Sequence, residues 1–550
     1  MRGLPNSLLL LVEFTLNGEL SMPKDKLYLK PNVVAEPLVN QWYAWSHLIA
    51  PATACLNIAN SHLKIMKSYV ASPDIHAAAV KNPAMRGGPF IGYPNHRVGE
   101  IRLLIDKTTN CLAHILEFAS AVGALNKLLM KEGRGYSLEP IYAEVPEPLK
   151  GYVELVYDLN GHPSVRFIES LLYRSRCYDP GIQSFNLSLI ESDDRPFVFS
   201  TPRLEDQDHL HVNLPFKDEA IGLLFKARIT PQSAECLKEA LGINGGSAKS
   251  FESFLTPHKP SLPSKYTGDG VRVRYFGHAC LLLETRDCSI ITDPVISYSY
   301  ENEFPRYTYL DLPDDIDYAL ITHGHADHFQ LETLLQLRHQ VKNIIVPAGG
   351  RGALEDPSLK LILDNLGFKN VIEVNELDRI DVKDGFIRAV PFLGEHADLN
   401  IRAKTAYLIN LLGKSVVCAA DSSNLEPRLY QHIHDLIGDV DLLFLGMECE
   451  GAPLSWIYGQ LLTQTIDRKM DQSRRLSGSD FPKATGMADT LNCKGVYIYA
   501  MGQEPWLSYL TSILYTTESK PIIESDKLIE ACRSRGIPAE RLFGSKDIYA

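Results

Sequence analysis

The densest group of chemically capable side chains is the run from Tyr318 to His328, in which His323, Gly324, His325, Ala326, Asp327 and His328 follow an apolar strand-like stretch. Alternate residues at a strand end share a face, so His323 and His325 point the same way and form one metal site, while Asp327 and His328 on the following turn reach a second. Gly324 and Ala326 are small and let the loop fold tightly under two ions. A polar loop with surface histidines is the bland reading, but the pattern His-x-His-x-Asp-His is far rarer by chance than any single pair.

Such donors need a scaffold. From Val271 onward, residues 271–276, 280–284, 289–292 and 318–322 read as successive strands, after which Leu331, Leu334 and Leu335 space one face of a helix. Strands recur at 343–346, 371–374, 387–390, 406–411, 415–419, 442–445 and 495–500, and a helix is expected around 523–533. This predicts an α/β fold, an αββα sandwich. Residues 22–130 carry mostly helical periodicity, with Trp42, Tyr43 and Trp45 read as core, and 150–230 holds short β-like runs at 152–156, 196–200 and 211–216. The Ser-, Gly-, Pro- and Lys-rich stretch 245–265 reads as a linker. The chain thus divides into a mixed α+β N-terminal domain, 1–265, and the metal-binding sandwich with a C-terminal extension, 266–550.

Composition narrows the function classes. Of 550 residues 45% are apolar and 22% charged, close to the globular average, which excludes collagen, coiled coil and disorder. The net charge of −12 gives no basic footprint, so no nucleic-acid partner is expected. No apolar run approaches the roughly 18 residues of a membrane span, and ten cysteines without a Cys-x-x-Cys pair read as reduced thiols of a cytoplasmic protein. The apolar run at 8–12 is short, broken by Glu13 and followed by no cleavage pattern, and Met22 opens an ordinary charged start, so residues 1–21 read as an extended start or an arm.

The His-x-His-x-Asp-His pattern resembles the metallo-β-lactamase superfamily, over roughly residues 270–460. Gly277-His278-Ala279 and Thr292-Asp293-Pro294 stand where that family places its supporting turns. The resemblance implies that Asp293 orients a metal-bound histidine through its free ring nitrogen and that Asp421 bridges the two metals, where on its own it would read as a helix N-cap. His278 is read as structural. Two departures matter. The family's third histidine belongs after the strand 387–390, where the chain has Gly394-Glu395-His396, so either Glu395 or His396 completes the first site. The last histidine belongs after 442–445, where the chain has Gly446-Met447-Glu448-Cys449-Glu450 and no histidine follows His434. With Glu395, two histidines and a carboxylate suit non-haem iron and oxygen chemistry. With His396 the site is nearer a zinc hydrolase.

The whole chain, including Glu36-Pro37, the segment from Asn40 to Trp45 and Gly87-Gly88-Pro89, is similar to the di-iron β-hydroxylases of chloramphenicol biosynthesis. That likeness implies His323, His325 and Glu395 on one Fe ion, Asp327 and His328 on the other, Asp421 between them, and O2 as co-substrate. It also implies a substrate held as an aminoacyl thioester on the carrier domain of a non-ribosomal peptide synthetase, an electron-donor reductase, and an N-terminal region that docks the carrier. The rival is a dinuclear zinc or manganese hydrolase with Asp421 as anchor. His209 and His211 read as a surface pair.

Overall fold

The computed structural model describes residues 26–550; the apolar run at 8–12 and Met22 lie outside the described residues. Two seven-stranded sheets pack face to face. The first runs, edge to edge, Val371–Val374, Val341–Pro347, Ile316–Leu320, Ser289–Thr292, Cys280–Glu284, Arg272–Gly277 and Lys546–Tyr549. The second runs Arg379–Val382, Gly385–Val390, Ala406–Leu411, Lys414–Cys418, Leu442–Gly446, Gly495–Tyr499 and Ala539–Arg541. Strand period decides which side chain goes where: on Cys280–Glu284, Leu281 and Leu283 enter the core between the sheets, while Cys280 and Leu282 enter the core behind the first sheet. Facing them across the inner core are Ile387, Ile409, Val416 and Phe444. Helices Pro427–Ile437, Phe481–Thr490 and Lys520–Ser534 cover the outer face of the second sheet with Tyr430, Met487 and Leu528. Helices Leu331–Leu337 and Leu359–Asn365 cover the first, giving the αββα sandwich.

The N-terminal region packs onto that same outer layer. Its four-stranded sheet runs Trp42–Tyr43, Val33–Val39, Gln183–Leu189, Leu210–Val212, flanked by helices including Pro51–Asn57, Leu63–Ala71, Val98–Cys111 and Ala113–Glu132. One buried apolar cluster runs without a break from Val33, Trp42 and Phe118 to Leu282, Leu334 and Ile344. Trp42, Tyr43 and Trp45 are buried within it.

Three local expectations differ from the structure. Val33–Val39 is a fully buried strand; the Glu36-Pro37 pair at its centre masks it in the sequence, and buried arginines described below make that glutamate tolerable. Residues 196–200 are irregular rather than a strand, because the backbone N–H of Val198 donates instead to the Tyr509 carbonyl at 3.0 Å. The stretch 245–265 is partly ordered: it holds helix Ser247–Glu252 and strand Leu255–Thr256, which pairs with Lys26–Leu29. Among the described residues no single helix is long and apolar enough to cross a membrane, and only the bent pair Asn95–Cys111 with Ala113–Glu132 passes by length and composition.

Candidate metal centre

Every donor singled out above leaves the C-terminal end of a strand: His323 to His328 follow Ile316–Leu320, Glu395 follows Gly385–Val390 and Asp421 follows Lys414–Cys418, while Glu448, which is not in the donor set, follows Leu442–Gly446 on the same edge. This is the edge of an α/β sheet where strand ends splay and leave a crevice. The turns that bend into it are backbone-strained: His278, Asp293, Glu395 and Ala420 all take positive φ, between 34° and 67°, a cost that concentrates at functional sites. Gly394, at φ 81°, permits a close approach, since a Cβ there would stand 2.7 Å from the Cβ of Ser423, two residues past Asp421.

The donors form overlapping groups: His323, His325, Glu395 and His396; His323, His328 and Asp421; His278, Asp327 and His328. Hydrogen bonds set which nitrogen each ring offers. Asp293 accepts from the Thr322 N–H at 2.7 Å, the Thr322 hydroxyl at 2.6 Å and His328 Nδ1 at 2.8 Å. A carboxylate only accepts, so His328 carries its proton on Nδ1 and turns the bare Nε2 toward Asp421, 3.1 Å away. The Thr322 oxygen, its proton given to Asp293, accepts from His323 Nδ1 at 3.0 Å, which leaves His323 Nε2 bare as well. That nitrogen lies 3.8 Å from both Glu395 and Asp421. His325 places Nδ1 2.9 Å from Glu395 and Nε2 2.9 Å from the Tyr458 hydroxyl.

Both candidates for the third ligand of the first site come to the same place. The Glu395 carboxylate stands 3.8 Å from His323 and 2.9 Å from His325, and His396 falls in the same group of donors. His396 Nδ1 bonds the Gly394 carbonyl at 3.4 Å, so that nitrogen carries a proton, and it lies 2.8 Å from Glu395 without a hydrogen-bonding angle. His278 has the opposite tautomer to His323 and His328: its Nδ1 accepts the Gly502 N–H at 3.1 Å, so its proton sits on Nε2, 3.3 Å from Asp327. It therefore turns a ring N–H rather than a lone pair toward the Asp327 carboxylate, near it but without a hydrogen bond. Tyr458 and His278 are the supporting residues the sequence reading missed or left vague; Gly277-His278 is the one local cue, and Tyr458 has none. Of the other histidine pair, His209 bonds Asp206 at the surface while His211 is half-buried with an unpartnered Nε2.

The donors fit a pair of cations. His323 Nε2, His328 Nε2, Glu395 Oε2 and Asp421 Oδ1 are all buried without a hydrogen-bond partner, an arrangement that costs free energy unless a metal fills it. The charges are strongly perturbed. Burial and His328 drive the His323 pKa far down, which keeps that ring neutral. Burial, reinforced by Asp421, pushes the Glu448 carboxyl up to about 8. Over this centre opens a cavity of about 420 Å³ lined by His278, His325, Asp327, Glu395, Asp421 and Glu448 among others. It adjoins a second, of about 360 Å³, walled by Trp45, Phe197, Phe199 and Trp456.

Comparison with known proteins accounts for both halves. Residues 28–260 match the family model described as the diiron non-heme beta-hydroxylase N-terminal domain, and 289–452 match the beta-lactamase superfamily domain. Over 525 residues, 94% of this chain and 98% of its relative, the sequence is 38% identical to the 4-amino-L-phenylalanyl-[CmlP-peptidyl-carrier-protein] 3-hydroxylase of Streptomyces venezuelae. The crystal structure of CmlA, a diiron β-hydroxylase from Streptomyces venezuelae, superposes with a TM-score of 0.90 at 37% identity, covering 96% of this chain and 99% of that one. A mutant of the CmlA β-hydroxylase superposes with a TM-score of 0.88. The chain is an enzyme and belongs to the diiron non-heme β-hydroxylases, whose N-terminal domain is joined to a metallo-β-lactamase domain.

Proposed function

We propose that this protein hydroxylates the β-carbon of an aminoacyl group held as a thioester on the carrier domain of a non-ribosomal peptide synthetase. The likeness that extends through both parts of the chain to a hydroxylase of a carrier-bound aminoacyl group carries this reading, and the donor set supports it. His323, His325 and Glu395 would hold one iron, Asp327 and His328 the other, and Asp421 would lie between them. Two irons, when bound, supply the reductive activation of O2, with one oxygen atom entering the C–H bond and the other leaving as water.

The protein's own groups do the rest. Asp293 and Thr322 fix the tautomers of His328 and His323 so that both offer Nε2. His278 stands 3.3 Å from Asp327 with its ring N–H facing it, and Tyr458 holds His325. Burial of the centre excludes competing water, and the adjoining aromatic walls give an acyl side chain an apolar place to lie. The balance C–H + O2 + two electrons + two protons requires an external reductant, for which we infer a separate reductase. We further infer that the N-terminal side, which has its own family match over residues 28–260, docks the carrier domain. A cytoplasmic setting agrees with ten cysteines that are all free of disulfides.

The test is elemental analysis of anaerobically purified protein, followed by exposure of the reduced enzyme and aminoacyl-loaded carrier to O2. About two irons per chain and an acyl group heavier by one oxygen support the reading. Zinc or manganese with release of free amino acid would replace it by a hydrolase.

A further inference from the structure

The following rests on the aminoacyl thioester reading and concerns how that substrate is oriented. An amino acid tethered through its carboxyl group keeps a free α-amine, which is cationic at neutral pH. The amine sits on the carbon next to the one to be hydroxylated. Any pose that brings the β-carbon to the metal centre therefore brings an ammonium group within a few ångström of it. A cation carried into a confined cavity beside two metal ions needs an anion of its own.

The cavity over the centre is lined by four carboxylates, Asp327, Glu395, Asp421 and Glu448. The first three belong to the donor groups; Glu448 belongs to none. Among the described residues Glu448 has no lysine or arginine within ion-pair distance: Arg475, also in the cavity wall, spends its guanidinium on the Glu450 and Gly451 carbonyls and on Gln472. Glu448 accepts from the Tyr515 hydroxyl at 3.5 Å, and the burial that raises its pKa is offset when a cation arrives beside it, so the carboxylate charge forms together with the ammonium contact. It stands on the loop after Leu442–Gly446, where the metallo-β-lactamase resemblance calls for a histidine, so an acid has taken a position that faces the reaction space without serving a metal. The adjoining aromatic cavity has no carboxylate in its wall except Asp327, which leaves that chamber to the side chain and the Glu448 side to the amine.

We propose that Glu448 binds the α-ammonium group of the substrate and thereby sets which C–H bond faces the metal centre. A free amine then becomes a requirement, and acyl groups lacking it are poor ligands.

Binding to the iron-loaded enzyme kept under anaerobic conditions tests this without turnover. The probes are the pantetheine thioesters of 4-aminophenylalanine, tyrosine and leucine, each beside its desamino counterpart. The native protein is expected to bind at least one amine probe roughly ten- to a hundredfold more tightly than its counterpart, the range a charge-assisted hydrogen bond supplies. Glu448→Gln should bring the two to equal affinity, leaving iron content and desamino binding unchanged, and Glu448→Asp should keep an intermediate preference. A Gln variant that retains the full preference, or one that loses iron, overturns the assignment. Should the Gln variant not fold, the Asp variant decides: a reduced preference supports the assignment and an undiminished one overturns it. If neither the pantetheine probes nor the same acyl groups loaded on a carrier domain bind the native protein while iron loading is normal, the aminoacyl thioester reading itself fails, and the role of Glu448 falls with it.

Discussion

Two polar clusters lie buried in this molecule, and they are built on opposite terms. In the seam between the N-terminal sheet and the metal domain, Glu36 accepts from Arg203 at 2.7 and 2.9 Å and from Arg195 at 2.9 Å, while Arg195 also reaches Glu332 at 3.0 Å. The Tyr43 and Tyr298 hydroxyls donate to Glu332, and Arg195 stacks on Tyr509 at 3.6 Å. Two acids meet two guanidinium groups, and none of the polar atoms of these four charged side chains is left buried and unpartnered. At the metal centre the acids outnumber their fixed positive neighbours, and bare nitrogens and oxygens point at a common space. The first cluster is complete as protein and holds two layers together; the second is complete only with cations. A tally of buried charges would not separate them, whereas asking where each lone pair goes does.

Breaking each cluster should therefore fail in a different way. The largest effect is expected from Glu395→Ala, which removes the carboxylate facing both His323 and His325: about half the iron and essentially all turnover should be lost, with the fold intact by circular dichroism. Full activity with normal iron would mean that His396 is the ligand. Next in size, Arg203→Met leaves Glu36 buried with one partner fewer and should lower unfolding stability by about 3–5 kcal/mol in denaturant titrations, while the protein that remains folded keeps its iron. Tyr458→Phe sharpens the contrast, since it removes one hydroxyl from His325 Nε2; iron affinity should weaken roughly tenfold with little change in the denaturation midpoint.

The smallest effect concerns pH. Glu169, at the seam, accepts from the Ser358 N–H at 3.0 Å, yet burial outweighs that bond and raises its pKa from 4.5 to about 7. The folded state then binds this proton more tightly than the unfolded chain. Its stabilising contribution is present below pH 4.5 and is lost as pH rises to about 7. Glu169→Gln should flatten that part of the stability curve, measured by thermal unfolding between those limits; an unchanged slope would assign the effect to Asp356, which burial raises to about 6.

Much of the metal domain was readable because its signals are local. A strand such as Cys280–Glu284 is a continuous apolar run, and His323 to His328 lie within a few positions of one another. Glu395 and Asp421 needed a family pattern, since nothing near them in the chain says that they meet. Tyr458 and Glu448 were not legible as functional, because their roles come from pairings across 133 residues, in the case of His325, and from a cavity wall. The N-terminal region was harder for a related reason. Val33–Val39 carries an acid and a proline in a strand interior, and the distant Arg195, Arg203 and Asn186 explain how that acid is accommodated.

The unbroken apolar layer beneath both halves limits how such enzymes can be rearranged. Leu282 and Ile291 of one half and Phe118 and Val33 of the other share a single interior, so neither half could be lifted away without uncovering the oily underside of its neighbour. A hybrid that grafts the first half of one relative onto the second half of another should collapse or aggregate unless the facing side chains are transplanted as a set. Changing the choice of acyl group is then best attempted at the cavity walls, where a substitution leaves that shared interior untouched.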